Sequence, residues 1–312
     1  MKFSIVITTY NRLSLLQRAV ESALNQTVPC EVVIADNAST DGTEAYVHSL
    51  GDRVVYRRNP SNLNHAGAVN AGVEAASGDW IKLVDDDDYL APHCIETLMG
   101  AIAQHPQAVI CSCQAAQVDT TGQELSRTPI TGPGKAFYIP QAAIHYGMLL
   151  EQVPFGTPIQ VAVQREALVR SGGWDLAMTS CDDIDSWIRV AELGDALFVN
   201  ECLGYRTVWP GGYDQKIDLR QRLNTNLLVK TRIYERVDPT YRSQLPPLSA
   251  IQKYLQLHWG LVALKQRRFT QAIALALPAI TSFAAWRRLY QARKLRTQSA
   301  VQIVPKIVLV AD

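Results

Sequence analysis

Four aspartates, Asp85, Asp86, Asp87 and Asp88, stand in a row at the end of the apolar run "WIKLV". Neighbouring carboxylates repel one another, and so dense a cluster is costly unless something cationic joins it. Mg2+ or Mn2+ meets that need, because these ions take oxygen ligands, typically one or two carboxylates completed by substrate phosphates. In an extended segment alternate residues face the same way, so Asp85 and Asp87 are expected on one side, one toward a metal and the other toward a sugar hydroxyl. Asp86 then points the other way, and Asp88 begins the turn to the next helix. Taken alone, the run reads equally as an acidic, solvated turn after a strand.

The flanking elements narrow the choice. "FSIVITTY", "CEVVIADN", "RVVYRRN" and "WIKLVDDDD" read as strands, separated by helical segments: Leu16, Ala19, Val20, Ala23 and Leu24 at helical spacing with Asn11 or Ser14 as cap, then "DGTEAYVHSL" and "AGAVNAGVEAAS". "PHCIETLMGAIAQ" predicts another helix. Strands alternating with helices mean βαβ units and a mostly parallel sheet. Ligands of such sheets bind beyond the carboxyl ends of the strands, where Thr8, Thr9 and Tyr10, then Asp36 and Asn37, then the acid run fall. An aromatic ring, an acceptor for a base N–H and a metal for phosphates suit a nucleoside diphosphate. A dinucleotide dehydrogenase fits less well, since "TTYNRL" stands where G-x-G-x-x-G belongs, and no P-loop occurs.

Farther along, "TTGQ" is a hairpin candidate and "TPITGPGKAF" a loop. "IQVAVQ" predicts a strand, and "REALVRSGGW" and "DIDSWIRVAELGD" predict helices. "DPTYRSQLPPLS" reads as a linker before two or three helices.

Four blocks, "FSIVITTYNR", "VVIADNASTDGT", "HAGAVNAGVEAASGDWIKLVDDDDYL" and "GGWDLAMTSCDDIDSWIRVAELG", together resemble a family 2 glycosyltransferase, in order from residue 3 to residue 207. The resemblance implies a GT-A fold, an α/β architecture with a Rossmann-like mixed, mostly parallel sheet flanked by helices. It implies a catalytic domain over 1–238, with a nucleotide-binding part over 1–115 and an acceptor-binding part over 116–238, followed by a basic helical extension over 239–312. The family assigns Thr8, Tyr10 and Asp36 to the nucleoside, Asp85 to ribose or the donor sugar, and Asp87 to the metal, Mn2+ or Mg2+. Asp86 is grouped with the nucleotide-binding residues by its place in the run. Asn37, Ser39 and Asp41 match the block after strand two, with Asp41 read chiefly as a helix cap, and Asn70 matches an Asn lying near the donor.

In "CDDIDSW", Asp183 falls on the acid that inverting members use as general base toward the acceptor hydroxyl. Asp182 assists or caps the helix, and Asp185 lies on another face; the other reading of this block is an acidic first turn favoured by the helix dipole. The expected reaction is inverting transfer of a sugar, from a UDP-sugar as the expected donor, to a glycan or lipid-linked hydroxyl in surface polysaccharide, lipopolysaccharide or glycolipid assembly. A sugar nucleotidyltransferase and a noncatalytic binding protein of the same fold are the alternatives. Two departures stand out. Val69 replaces an Arg, for which His65 or Lys82 are the candidate substitutes, and "YRTVWPGGYDQ" lacks a late His, leaving Trp209 as an acceptor platform or a packing residue.

Charge is distributed unevenly. Residues 1–238 carry 19 Lys and Arg against 28 acids, a net of −9, whereas residues 239–312 carry 11 against one, a net of +10. Phe269 to Trp286 is an apolar stretch bracketed by Lys265, Arg267 and Arg268 and by Arg287, Arg288, Arg293, Lys294 and Arg296. It is shorter and more polar than a spanning helix. Peripheral docking on an anionic membrane is one expectation for it, and packing on the protein or a second subunit is the other; nucleic acid is not an expected partner. The start "MKFSIVITTYN" has no signal-peptide pattern, so the expected compartment is cytoplasmic, with peripheral contact at the inner face of the membrane. The six cysteines are expected to be reduced, with Cys111 and Cys113 in a strand.

Overall fold

Phe3–Thr9 (β1) is buried along its whole length, as a strand covered on both faces must be. The computed structural model describes residues 1–209, 217–297 and 304–309. After β1 comes α1 (Leu13–Leu24), which buries Leu16, Ala19, Val20 and Ala23, the stripe its sequence period predicts. Neither Asn11 nor Ser14 caps it. The Leu13 N–H instead donates to Asp41 Oδ2 at 2.8 Å, and Asp41 Oδ1 also receives the Thr43 N–H and hydroxyl, so one carboxylate ties down the starts of two helices.

β2 (Glu31–Asp36), α2 (Thr43–Ser49), β3 (Val55–Arg58), α3 (Asn64–Ala75) and β4 (Trp80–Asp85) complete the first half. β1 lies between β2 and β4, parallel to both, and β3 runs parallel to β2. This register places Thr8 beside Asp85 and Thr9 beside Asp36, so three strand ends share one rim as expected. Small residues let α3 approach the sheet: a Cβ at Gly72 would lie 2.4 Å from Val6 Cγ1 and 3.0 Å from the Ala35 Cβ.

β5 (Tyr89–Leu90), α4 (Cys94–Gln104), β6 (Ala108–Val118), β7 (Glu124–Arg127), β8 (Ala136–Ile139), α5 (Gln141–Leu149), β9 (Val161–Gln164), α6 (Arg165–Arg170), α7 (Asp182–Val190) and β10 (Asp195–Thr207) follow. β6 and β7 form the expected hairpin, with Asp119 Oδ1 receiving the Thr121 and Gln123 N–H groups. Ala136 and Phe137, expected in a loop, belong to β8, which pairs with β10. β10 itself was not foreseen from the sequence: its register against β6 shifts at three places, and such bulges break the alternation that marks a strand. With β11 (Ile307–Val308) the mixed sheet runs β11-β8-β10-β6-β9-β4-β1-β2-β3, with β5 beside β10 and β7 beside β6.

By its contacts the chain forms two units, Met1–Gln141 with Val153–Pro210 and Lys306–Asp312, and Ala142–Gln152 with Gly211–Pro305. The first unit holds the sheet and a core that includes Phe3, Ile5, Ile7, Leu16, Ile34 and Leu98. In the second unit α8 (Leu219–Glu235) is followed by α9 (Leu248–Lys265), α10 (Phe269–Ala276) and α11 (Phe283–Thr297). These helices have a separate core around Leu219, Leu223, Tyr254, Leu257, Ala263 and Leu275. The side chains of Arg293, Lys294 and Arg296 lie outside the described ones. All six cysteines are free thiols, with Cys94, Cys111 and Cys113 buried.

Candidate active site

The acid run is a turn. β4 ends at Asp85, and the Asp88 N–H donates to the Asp85 carbonyl at 3.0 Å, closing a β-turn with Asp86 and Asp87 at its centre. Strand alternation therefore does not decide where these side chains point, and each has separate partners. Asp86 is buried, accepting from the Thr9 hydroxyl at 2.8 Å and the Tyr10 N–H at 3.3 Å. Asp88 is also buried and receives the Thr207 N–H at 2.9 Å, which ties the turn to the end of β10.

Arg12 supplies a cation that the primary structure does not place beside the run. Its Nη1 lies 3.0 Å from Asp86 Oδ1 and 3.2 Å from Asp87 Oδ2. Trp209 Nε1 donates to the same Asp87 oxygen at 3.0 Å, and the Arg12 guanidinium lies over the Trp209 ring. Arg18 donates to the Asp87 carbonyl at 2.8 Å and to the Thr207 hydroxyl at 2.6 Å. Burial nevertheless raises Asp86 to about 6 against the pull of Arg12. Burial, then the charge of Asp85, also raises Asp87.

Asp85 faces a different neighbour. His65, in the first turn of α3, places Nε2 2.9 Å from Asp85 Oδ1 and Nδ1 3.2 Å from Asp182 Oδ2. One imidazole thus joins the rim of the sheet to the start of α7, and it packs edge-on against Trp174. Desolvation opposes charge on the ring, but Asp85 and Asp182 outweigh it and hold its pKa well above the ordinary value. Desolvation likewise pushes Asp85 up, but His65 and the Thr8 hydroxyl, 3.2 Å away, bring it below the usual range.

Asp183 follows in the first turn of α7, where its Oδ1 accepts the Ile184 N–H at 2.7 Å. Desolvation and then the charge of Asp182 raise it to about 7; Asp85 adds to the rise and His65 opposes it. A carboxyl group poised near neutrality beside a strand-end acid cluster is suited to proton transfer. Asp185 is instead a buried structural anion, gripped at one oxygen by Arg189 Nε at 3.0 Å and Nη2 at 2.8 Å.

The remaining predicted residues lie on or near the rim with their polar atoms largely engaged. Tyr10 is the open one, its side chain 45% exposed. Asp36 is fully buried and receives the Ser39 N–H at 2.8 Å and the Tyr56 hydroxyl at 2.7 Å, with Arg58 Nε 3.5 Å away. Asn37 donates to Asn62 and the Asn64 carbonyl and accepts from Asn59 and the Leu63 N–H. Asn70 makes a paired contact with the Trp174 backbone, accepting its N–H at 2.8 Å and donating to its carbonyl at 2.9 Å. Lys82 does not take the place of the missing Arg: it is fully buried, and its ammonium donates to the carbonyls of Leu83, Pro158, Ile159 and Val161. Val69 is likewise buried.

Among the described residues no three His, Cys, Asp or Glu side chains gather to hold a metal. The hard oxygens of the turn fit an ion of the Mg2+ or Mn2+ type that takes one carboxylate and relies on substrate phosphates for the rest.

The chain is an α/β protein with polar side chains gathered at the ends of its parallel strands, and comparison gives the family. The model for "Glycosyl transferase family 2" matches residues 4–171, more than half of the chain, which therefore belongs to that family. An uncharacterized glycosyltransferase of Haemophilus influenzae is 27% identical over 190 residues, 61% of this chain and 62% of that protein. The GalNAc(5)-diNAcBac-PP-undecaprenol beta-1,3-glucosyltransferase of Campylobacter jejuni is 31% identical over 130 residues, 40% of this chain and 42% of its own. The chain thus spans less than two thirds of these relatives' length. Among solved structures, S. aureus TarS 1-349 in complex with UDP-GlcNAc superposes with a TM-score of 0.61 at 14% identity, over 99% of this chain and 97% of that one. Mannosyltransferase PcManGT from Pyrobaculum calidifontis, in complex with GDP-Man and Mn2+, gives 0.56 at 19% identity over 96% and 81%. The likeness establishes the GT-A fold.

Proposed function

We propose that this chain transfers a sugar with inversion from a nucleoside diphosphate sugar, a UDP-sugar first among them, to a hydroxyl of a glycan or lipid-linked acceptor in cell-surface glycan assembly. The observation that carries the reading is His65, whose two ring nitrogens meet Asp85 at the nucleotide rim and Asp182 beside Asp183. These contacts support a reading in which donor-side and acceptor-side carboxylates share one site.

In this reading Tyr10 stacks on the base and Thr8 and Asp85 meet the ribose or sugar hydroxyls. Asp36 retains lone pairs for a base N–H beside those taken by the Ser39 N–H and the Tyr56 hydroxyl, but it is fully buried, so that contact requires its surroundings to open. Asn37 and Asn70 act from behind, by fixing the loops over Asn59–Asn64 and at Trp174. Asp87 holds the metal, Mn2+ or Mg2+, through one carboxylate. That ion, when bound, supplies positive charge to the departing diphosphate. Arg12 and Trp209, now on Asp87, shift aside or share its oxygens.

Asp183 removes the acceptor's proton as its oxygen attacks the anomeric carbon on the face opposite the diphosphate. The C–O bond to the diphosphate breaks, and its electron pair stays on phosphate oxygen. An aspartate raised to about 7 is ionised in a large fraction at neutral pH and is a stronger base than a solvated carboxylate. Thermal-shift measurements with UDP-, GDP- and dTDP-sugars, with and without Mn2+, test the donor side. The reading predicts stabilisation by one nucleotide class that grows with Mn2+; no shift from any of them contradicts it.

A further inference from the structure

Beyond the face they bury, α10, the turn after it and α11 carry a second apolar face that is exposed. Ala272, Leu275, Ala279, Ala285 and Leu289 face inward, whereas Phe269, Ile273, Leu277, Ile280, Phe283 and Trp286 face out. Phe283 is 81% exposed and Phe269, Ile273 and Leu277 each more than 60%. Phe269, Ile273 and Leu277 recur every four residues, so they form one stripe, and past the bend Phe283 and Trp286 are exposed as well, with Trp286 Nε1 donating to the Ile280 carbonyl at 2.8 Å. Exposed apolar stripes of this size mark a surface that meets something apolar.

The charges that the sequence places at the two ends of the stripe are cationic, although Asp218, at the start of α8, meets α10 by accepting from Gln271 Nε2 at 2.8 Å. Lys265, Arg267 and Arg268 precede it and Arg287 follows it, all exposed, and no Asp or Glu occurs from residue 239 to residue 311. No single helix among the described residues is long and apolar enough to cross a membrane, and Phe269–Ala279 and Phe283–Tyr290 are bent by 113° to one another. A short, sharply bent, apolar pair rimmed by cations suits the boundary between headgroups and acyl chains, where side chains reach hydrocarbon and guanidinium groups stay with phosphate.

We propose that this face docks the protein on an anionic lipid surface, with the six apolar side chains at the acyl boundary and Lys265, Arg267, Arg268 and Arg287 against lipid phosphates. A second copy of the chain fits less well, because a two-fold contact through this stripe would bring its cations close to their own copies. Nucleic acid offers no counterpart for Ile273, Leu277 and Ile280. The inference does not depend on the sugar-transfer reading, and its readout is independent of turnover.

Co-sedimentation of the full chain with vesicles of phosphatidylcholine, alone or with about 30% phosphatidylglycerol, tests it at about 0.1 M salt. The protein is expected to pellet with the anionic vesicles and stay in solution with the neutral ones. Phe283→Glu and Ile273→Glu, at positions already open to water, each lower partitioning about tenfold or more without loss of helical circular dichroism. Arg267→Glu does the same by reversing a charge, at about fivefold per unit of charge. Three results would overturn the proposal: no binding to anionic vesicles, equal binding to neutral ones, or a concentration-dependent dimer in sedimentation equilibrium that Phe283→Glu dissolves. The last assigns the stripe to a second copy.

Discussion

His65 Nε2 lies 2.9 Å from Asp85 Oδ1, and its other ring nitrogen lies 3.2 Å from Asp182 Oδ2. A charged imidazole between two carboxylates positions both, and its field reaches Asp183 next in sequence, where it opposes the rise in pKa.

Replacing His65 therefore has a directional consequence. His65→Ala removes a positive charge that lowers Asp183, so the acid limb of the pH–rate profile moves upward from about 7. Loss of positioning is expected to reduce kcat/KM by about 10²-fold. Steady-state rates measured across pH check this; a lower rate with an unmoved acid limb would confine His65 to a packing role.

Asp183 makes a paired prediction in rate and stability. Transfer needs its ionised form, so the rate rises with pH through about 7. Its folded-state pKa lies above the unfolded value of about 3.9, so the folded state binds more protons between the two and stability falls as pH rises through that window. Asp183→Asn removes a half-buried charge and is expected to abolish transfer while raising Tm at pH 8, by no more than about 2–4 °C per kcal/mol. Retained turnover in this variant would remove Asp183 from the mechanism.

Lys82 shows the opposite pattern. Its ammonium lies under four backbone carbonyls inside the protein, with its pKa pushed down by burial. Lys82→Met removes the buried ammonium that these carbonyls share, leaving the Pro158 carbonyl its Val161 N–H, and is expected to cost about 3 kcal/mol in urea unfolding. Nucleotide affinity is expected to stay within about twofold, since no atom of Lys82 reaches the rim; a large loss of affinity at unchanged stability would reverse that assignment.

The βαβ half was legible because its signals are local. Buried strands such as Phe3–Thr9 read as apolar runs, and the stripe on α1 repeats at helical period. Strand-end positions then followed from topology, which is why Thr8, Asp36 and Asp85 were foreseen on one rim. What was not legible is set by contacts between distant residues. Arg12 follows Tyr10 by two positions, but nothing local shows that its side chain reaches Asp86 and Asp87 across the crevice. A usable signal was the need of a buried acid for a cation, with Arg12 the next cation after the end of β1. Lys82, a candidate substitute for the missing Arg, turns inward instead, because irregular backbone around Pro158 to Val161 presents carbonyls to receive its ammonium, a contact between residues more than seventy positions apart. β10 was hidden by its bulges and α8 by an apolar pattern with few repeats.

The reading stands or falls on Asp87 as the protein's hold on a metal that accompanies a nucleoside diphosphate. Isothermal titration of UDP into the wild-type chain and into Asp87→Ala, each with and without Mn2+, measures that link directly. Affinity in the wild-type chain is expected to rise at least about tenfold with Mn2+, about 1.4 kcal/mol, and Asp87→Ala is expected to lose that increment while keeping its metal-free affinity. Metal-independent binding in the wild-type chain, or a full Mn2+ increment in Asp87→Ala, would contradict it.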